Sequence, residues 1–247
     1  MPQGKMSTRL AWYALAVMLG SFTGCSCESE KMSMVNPEAV HQSYIVSYNA
    51  DVNRAEASAR FRFGGATGTN LELDGIAKVT HSSCELKKAH LFGVYYAGNC
   101  AGHNVDHVFE FTDTAGKNFK NTIKLLAIEF PANMRAEMSR AKGITVVFAG
   151  DAVAQDEHVE LTINQNVMGV GDAKGGVGQS RSKTIQNRTV GATEIAVTAG
   201  DLREFSDGDA TLTLKRVRNH APQNVTSRGG HMSATYVAKE RRVVMVK

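Results

Sequence analysis

The 247-residue sequence predicts an all-β chain built from antiparallel β-sandwiches, and three observations carry that prediction. Apolar and polar residues alternate with a period of two in one short run after another. Turn residues such as Gly, Asp, Asn and Ser separate these runs at intervals of roughly 8–12 residues, the spacing of sandwich folds. Between residues 43 and 130 no segment sustains the 3.6 period of a helix.

From Tyr44 onward the pattern can be followed element by element. Ala57, Ala59, Phe61 and Phe63 alternate with Ser58, Arg60 and Arg62, giving a strand with one buried face. The Gly64–Gly68 stretch ends it, and Leu71 and Leu73 alternate with Glu72 and Asp74 in the next. A strand over residues 77–81 turns at Ser82-Ser83, and residues 91–96 form a further apolar run. Val105, Phe109 and Phe111 lead into the turn Thr112-Asp113-Thr114-Ala115-Gly116-Lys117, and Phe119, Ile123 and Leu125 line the returning strand. That hairpin resembles the last two strands of an immunoglobulin-like domain, so residues 43–130 are expected to form one such sandwich.

Residues 131–142 lose the alternation after Pro131 and read as a linker. A second sandwich is expected over 143–247. Ile144, Val146 and Phe148 open it, and Val159, Leu161 and Ile163 follow the acidic turn at 151–157. Residues 167–182 hold five glycines and read as a flexible loop. Ile195 and Val197, Leu212 and Leu214, Ala234, Tyr236 and Ala238, and Val244 and Val246 complete the set. The stretch 195–218 resembles the closing part of small sandwich domains in bacterial surface lipoproteins.

The first 25 residues address location. Lys5 and Arg9 precede an uncharged apolar run over 10–22, too short to span a bilayer core of about 30 Å, with the three-part layout of a secretory signal. Phe22-Thr23-Gly24-Cys25 resembles the lipobox of bacterial lipoproteins, with Phe22 standing where that family usually has Leu. The resemblance implies cleavage before Cys25, acylation of that cysteine and anchoring to a membrane. Ser26-Cys27-Glu28-Ser29-Glu30 resembles the acidic leader of surface lipoproteins of the Bacteroidetes group, and residues 25–42 are expected to be a flexible tether. The expected location is the bacterial cell envelope, at the outer membrane or cell surface.

The formal charge of +4 loses Lys5 and Arg9 with the signal, and so small a balance does not argue for a nucleic-acid binder, which would normally show a concentrated basic footprint. With Cys25 acylated, Cys84 and Cys100 are the plausible disulfide of an oxidising compartment, leaving Cys27 over. Cys100-x2-His103-x3-His107 has metal-ligand spacing, with Cys84 a possible fourth donor. Disulfide formation and the missing CxxC half favour ordinary histidines instead.

The remaining candidates are weaker. The glycines of 169–178 lack the strand–helix context of a phosphate loop. The acidic turns lack a full Ca²⁺ loop. The C-terminal basic residues from Lys215 to Lys247 read as a solvated face, and no nucleophile elbow or HExxH motif occurs. The sequence therefore predicts a lipid-anchored, non-catalytic envelope protein with no cofactor. Its expected partners are the membrane and an envelope protein or polysaccharide. A metal-binding protein or hydrolase using His103 and His107 is the alternative, with a carbohydrate-binding protein using Tyr44, Tyr48, Tyr95, Tyr96 and Tyr236 as the third.

Overall fold

A computed structural model describes residues 29–167 and 179–247. The chain is all-β. Cys25, Cys27 and most of the glycine-rich segment lie outside the described residues.

In the first half the strands are β1 (Glu30–Lys31), β2 (Val40–Asn49), β3 (Arg54–Phe63), β4 (Thr69–Glu72), β5 (Lys78–His81), β6 (Lys87–His90), β7 (Val94–Ala101), β8 (Asp106–Thr112) and β9 (Asn118–Lys124). The second half holds β10 (Glu137–Ser139), β11 (Ile144–Val147), β12 (Glu157–Val167), β13 (Gln179–Asn187), β14 (Glu194–Val197), β15 (Gly208–His220), β16 (Gly230–Val237) and β17 (Arg241–Val246), with one helical turn, α1 (Ala199–Leu202). Twelve strands join one sheet whose main path runs β1-β4-β3-β2-β16-β15-β12-β13. A three-stranded sheet, β5-β8-β9, and a two-stranded one, β11-β14, are the other sheets among the described residues.

The alternation read from the sequence sets the layers. Ala55, Ala57, Ala59 and Phe61 of β3 are buried, as are Phe109, Phe111, Phe119 and Ile123 of the β8–β9 hairpin. Ring contacts join the layers, with Tyr44 4.8 Å from Phe109 and Phe61 4.3 Å from Phe111 between centroids. The small alanines of β3 leave room for these rings. In the second half Leu161, Ile163, Leu212 and Leu214 of the large sheet share the hydrophobic core with Val146, Ile195 and Val197 of the small one.

Three features depart from the expected layout. Residues from Ser29 onward, expected as tether, belong to the fold: β1 pairs with β4, Met32 is fully buried, and Ser33 donates two hydrogen bonds to Asp74. These are long-range contacts, so no local period announces them. The expected linker 131–142 contains β10, which pairs in parallel with β17 and buries Met138. Leu91 and Phe92 are not strand residues but the exposed tip of the β6–β7 hairpin, where Phe92 takes a φ of 52° and Gly93 one of 99°.

The large sheet runs through residues of both predicted sandwiches, because β2 and β16 pair in parallel over eight residues, from Gln42↔Gly230 to Asn49↔Val237. The segment between β15 and β16 secures that joint. The Asn121 amide donates to the Asn224 carbonyl at 2.7 Å, and its oxygen accepts from the Asn224 N–H at 2.9 Å. The Thr226 hydroxyl donates to the Val40 carbonyl.

Candidate functional site

Two places gather chemistry: a histidine–cystine cluster at one end of the three-stranded sheet, and a groove beside the β10–β11 turn.

Cys84 and Cys100 form a disulfide with their Cα atoms 4.9 Å apart. Cys100 lies on β7, and Cys84 sits in the segment crossing over that strand. Gly98 permits the crossing, since a Cβ there would stand 2.2 Å from the Glu85 carbonyl oxygen and 3.3 Å from Cys84 Sγ. The histidine that meets the sulfurs is His81, at the end of β5. Its Nδ1 lies 3.5 Å from Cys84 Sγ and 3.7 Å from Cys100 Sγ.

His81 is held by a directional chain of hydrogen bonds. The Ser83 N–H points at His81 Nδ1 (3.2 Å), so that nitrogen is the acceptor and Nε2 carries the proton. Nε2–H then donates to His107 Nδ1 at 3.1 Å, and His107 Nε2–H donates to the Asn104 carbonyl at 3.0 Å. The two rings stack with centroids 5.1 Å apart. Burial pulls the His81 imidazole down to about 4, with His107 a further cause, and burial also lowers His107. Both rings are therefore neutral at neutral pH, the state in which each shared nitrogen pair has one donor and one acceptor.

His103 is separate. It lies ahead of β8 rather than on it, so the even spacing from His107 does not place the two on one face. Its Nε2 donates to the Leu125 carbonyl at 2.9 Å, and its ring packs between Tyr48 and Tyr236 at 5.2 and 5.1 Å. The structure thus shows the favoured Cys84–Cys100 disulfide and, in place of the alternative Cys100–His103–His107 grouping, brings together His81, Cys84 and Cys100, with His107 behind His81. The spacing His81-x2-Cys84 was the sequence signal that could have found it.

The other candidates disperse. Tyr44, Tyr48, Tyr96 and Tyr236 are buried, so they form no sugar-stacking platform, and half-buried Tyr95 is covered by Arg60, whose guanidinium carbon lies 5.5 Å from the ring centroid. Tyr236 donates to Glu129 at 2.7 Å; burial, then that carboxylate, pushes its phenol up. Arg216 leaves the expected basic face altogether. It is 2% exposed, donates to the Asp151 carbonyl, and lies 3.9 Å from Glu157, which also meets Arg218 at 3.0 Å. Asp207 of the Asp207-Gly208-Asp209 turn is held by Arg140.

The groove has a volume of about 700 Å³ and lies between β10 and β11. Among the described residues each of these strands is paired on one side only, β10 with β17 and β11 with β14. Ala136 O and Arg140 N–H bond to β17, so by strand alternation the main-chain groups of Glu137 and Ser139 face away from it. On β11 the Phe148 N–H bonds toward β14, which turns Thr145 and Val147 outward. These four residues all line the groove. Ser139 O is taken by the Gly143 N–H in the connecting turn, where Gly143 has a φ of 71° and a Cβ would stand 2.3 Å from Val197 O. Apolar Met134, Ile144 and half-exposed Val147 share the groove with Arg135 and Lys142.

The chain matches no described protein family and no curated protein. Among solved structures it is similar to the Yersinia pseudotuberculosis adhesin InvE, at 12% identity and a TM-score of 0.22, covering 83% of this chain and 59% of that one. It is also similar to a structure from a 1.5-MDa bacterial ice-binding adhesin, at 10% identity and a TM-score of 0.19, covering 85% of this chain and 65% of that one. This chain thus spans less than two thirds of either neighbour's length. Among the described residues no helix is long and apolar enough to cross a membrane.

Proposed function

We propose that this protein is a lipid-anchored, non-catalytic binding protein of the bacterial envelope, and that it takes an extended segment of an envelope protein into the groove between β10 and β11. The groove carries the reading. Two strand edges with outward main-chain groups, of which Ser139 O alone is taken by the Gly143 N–H, border one slot lined in part by apolar side chains. An added peptide strand matches such groups in register and places alternate side chains in pockets; a polysaccharide has no repeating N–H and C=O ladder to offer. Arg135 and Lys142 at the rim favour a partner with acidic residues beside its extended run.

Support for the anchor comes from the lipobox resemblance at Cys25. Ser29, the first described residue, is already tied to the folded body, its hydroxyl accepting the Val94 N–H at 3.0 Å. The four intervening steps reach at most about 14 Å, so an acylated Cys25 would hold the folded body close against the membrane.

A photo-crosslinking residue at Val147 in whole cells tests the groove, with one at exposed Val190 as control. The expected result is an adduct to one envelope protein from 147 alone, abolished by Thr145→Pro, which removes a groove-facing donor. No adduct, or one indifferent to Thr145→Pro, refutes the peptide reading. Membrane fractionation and intact mass of wild type and Cys25→Ala test the anchor separately: a soluble, unacylated wild type refutes it.

A further inference from the structure

The disulfide has a neutral imidazole nitrogen placed against both of its sulfurs, and the geometry is that of a ligand set. With Zn–S of about 2.3 Å and Zn–N of about 2.0 Å, a tetrahedral ion holds N and S about 3.5 Å apart and two sulfurs about 3.8 Å apart. His81 Nδ1 already stands 3.5 and 3.7 Å from the two sulfurs, so only the sulfur–sulfur separation has to open. We propose that reduction of Cys84–Cys100 converts this cluster into a zinc site with Cys84 Sγ, Cys100 Sγ and His81 Nδ1 as ligands.

The supporting shell is already built. A zinc-bound histidine is normally oriented by a hydrogen bond from its other ring nitrogen. His81 Nε2–H donates to His107, and His107 is fixed in turn by Asn104, which fixes the tautomer that leaves Nδ1 as the acceptor. His107 is fully buried and makes these two bonds and no third. The metal would take over the Nδ1 lone pair now directed to the Ser83 N–H. On the Cys84 side the cluster opens to solvent through a depression of about 390 Å³ bordered by Thr80, Ser82 and Glu85. A water, or the carboxylate of exposed Glu85, completes four-coordination there.

The redox step balances with an external dithiol as reductant. Its thiolate attacks Cys84 Sγ, which is half-buried and faces the depression, whereas Cys100 is 1% exposed. The protein's S–S bond breaks and a mixed disulfide forms; the second thiol of the reductant resolves it. Two electrons and two protons pass to the cysteines, and the dithiol leaves as a disulfide. Zinc binding then releases both protons to water, and two thiolates neutralise the Zn²⁺ charge. A disulfide acting as oxidant reverses the sequence: it takes the two electrons, is reduced to its thiols, and the re-formed Cys84–Cys100 bond expels the ion. This site is independent of the groove and of the anchor.

The test uses the full chain, oxidised or reduced by a dithiol and desalted anaerobically, with zinc content measured after dialysis and Co²⁺ as a spectroscopic probe. Reduced wild type is expected to retain one zinc per chain and to give a thiolate-to-cobalt charge-transfer band, and oxidised protein neither. Reduced His81→Ala and Cys84→Ser are expected to lose the ion, and His107→Ala to bind it about 10- to 100-fold more weakly. His103→Ala is expected to bind as wild type. Reduced wild type holding no more zinc than the oxidised sample overturns the proposal, even if a variant fails to fold. Retention in Cys84→Ser also overturns it, since the ion would then sit elsewhere, for example at Cys25 and Cys27.

Discussion

Replacing Glu157 by Ala tests whether the buried charges at the start of β12 are held by that carboxylate. Glu157 is 5% exposed and Arg216 2% exposed, with Arg218 Nη2 3.0 Å and Arg216 Nη1 3.9 Å from the carboxylate oxygens. At an effective dielectric of about 20 these separations correspond to attractions of roughly 5 and 4 kcal/mol, offset in the native protein by the cost of burying the ions. Removing the acid leaves Arg216 buried with one carbonyl partner, Asp151 O, and also frees the Ala154 N–H that Glu157 accepts at 3.1 Å. Burial lowers the Arg216 guanidinium, but an arginine stays protonated in a folded protein, so loss of the proton does not relieve the unpaired charge. The expected loss is about 3–5 kcal/mol, the range for breaking a buried pair from one side. Urea unfolding read as a midpoint shift at unchanged slope measures it. The double replacement Glu157→Leu with Arg216→Met is expected to recover most of the loss, because Arg216 no longer leaves a lone charge and Arg218 keeps Asp156 at 3.2 Å. A single variant within about 0.5 kcal/mol of wild type would refute the reasoning and mean that the guanidinium is solvated.

Three further outcomes follow from named contacts. Asn121→Ala breaks both bonds to Asn224 and is expected to cost about 2–3 kcal/mol in the same assay; a cost under 0.5 kcal/mol would mean that water replaces the amide. Cys84→Ser with Cys100→Ser opens a link of sequence separation 16 and is expected to lower stability by about 3 kcal/mol, read from thermal unfolding. His41 is buried, and burial, then Arg62 and His231, lower its imidazole below 6.5. The unfolded chain therefore takes up its proton first, and stability falls as pH drops through about 6.5 toward the folded value. His41→Phe is expected to lose less stability than wild type between pH 7 and 5; equal losses would exclude His41 as a contributor.

The all-β character was legible because alternation is a local property: β3, β8, β9 and β12 each show their buried face within a few residues. β1 and β10 were not, since two- and three-residue strands contain too little pattern and are held by partners far along the chain. The basic C-terminal run misled because a charge count does not see Glu157, which draws Arg216 inward. The Cys84–Cys100 pair followed from cysteine arithmetic, whereas the histidine beside it depended on which strand end the β5–β8 pairing brings near. Val79↔Phe111 and His81↔Phe109 set that register, and nothing in the local sequence states it. The groove was invisible for a related reason: unpaired edges are defined by what fails to pair with them.

The parallel ladder between β2 and β16 also dictates an order of events during folding. Thr226 reaches back 186 residues to Val40, so the second edge of β2 cannot be satisfied until nearly the whole chain is available. Closing a loop of that length adds little free energy but much time, because non-local pairing slows the search. Until β16 arrives, β2 presents an open edge of main-chain N–H and C=O groups beside the apolar face that carries Tyr44, Val46 and Tyr48, the kind of edge that recruits strands from other chains. A nascent or partly folded chain is thus most vulnerable at β2, and β16 acts as the closing latch.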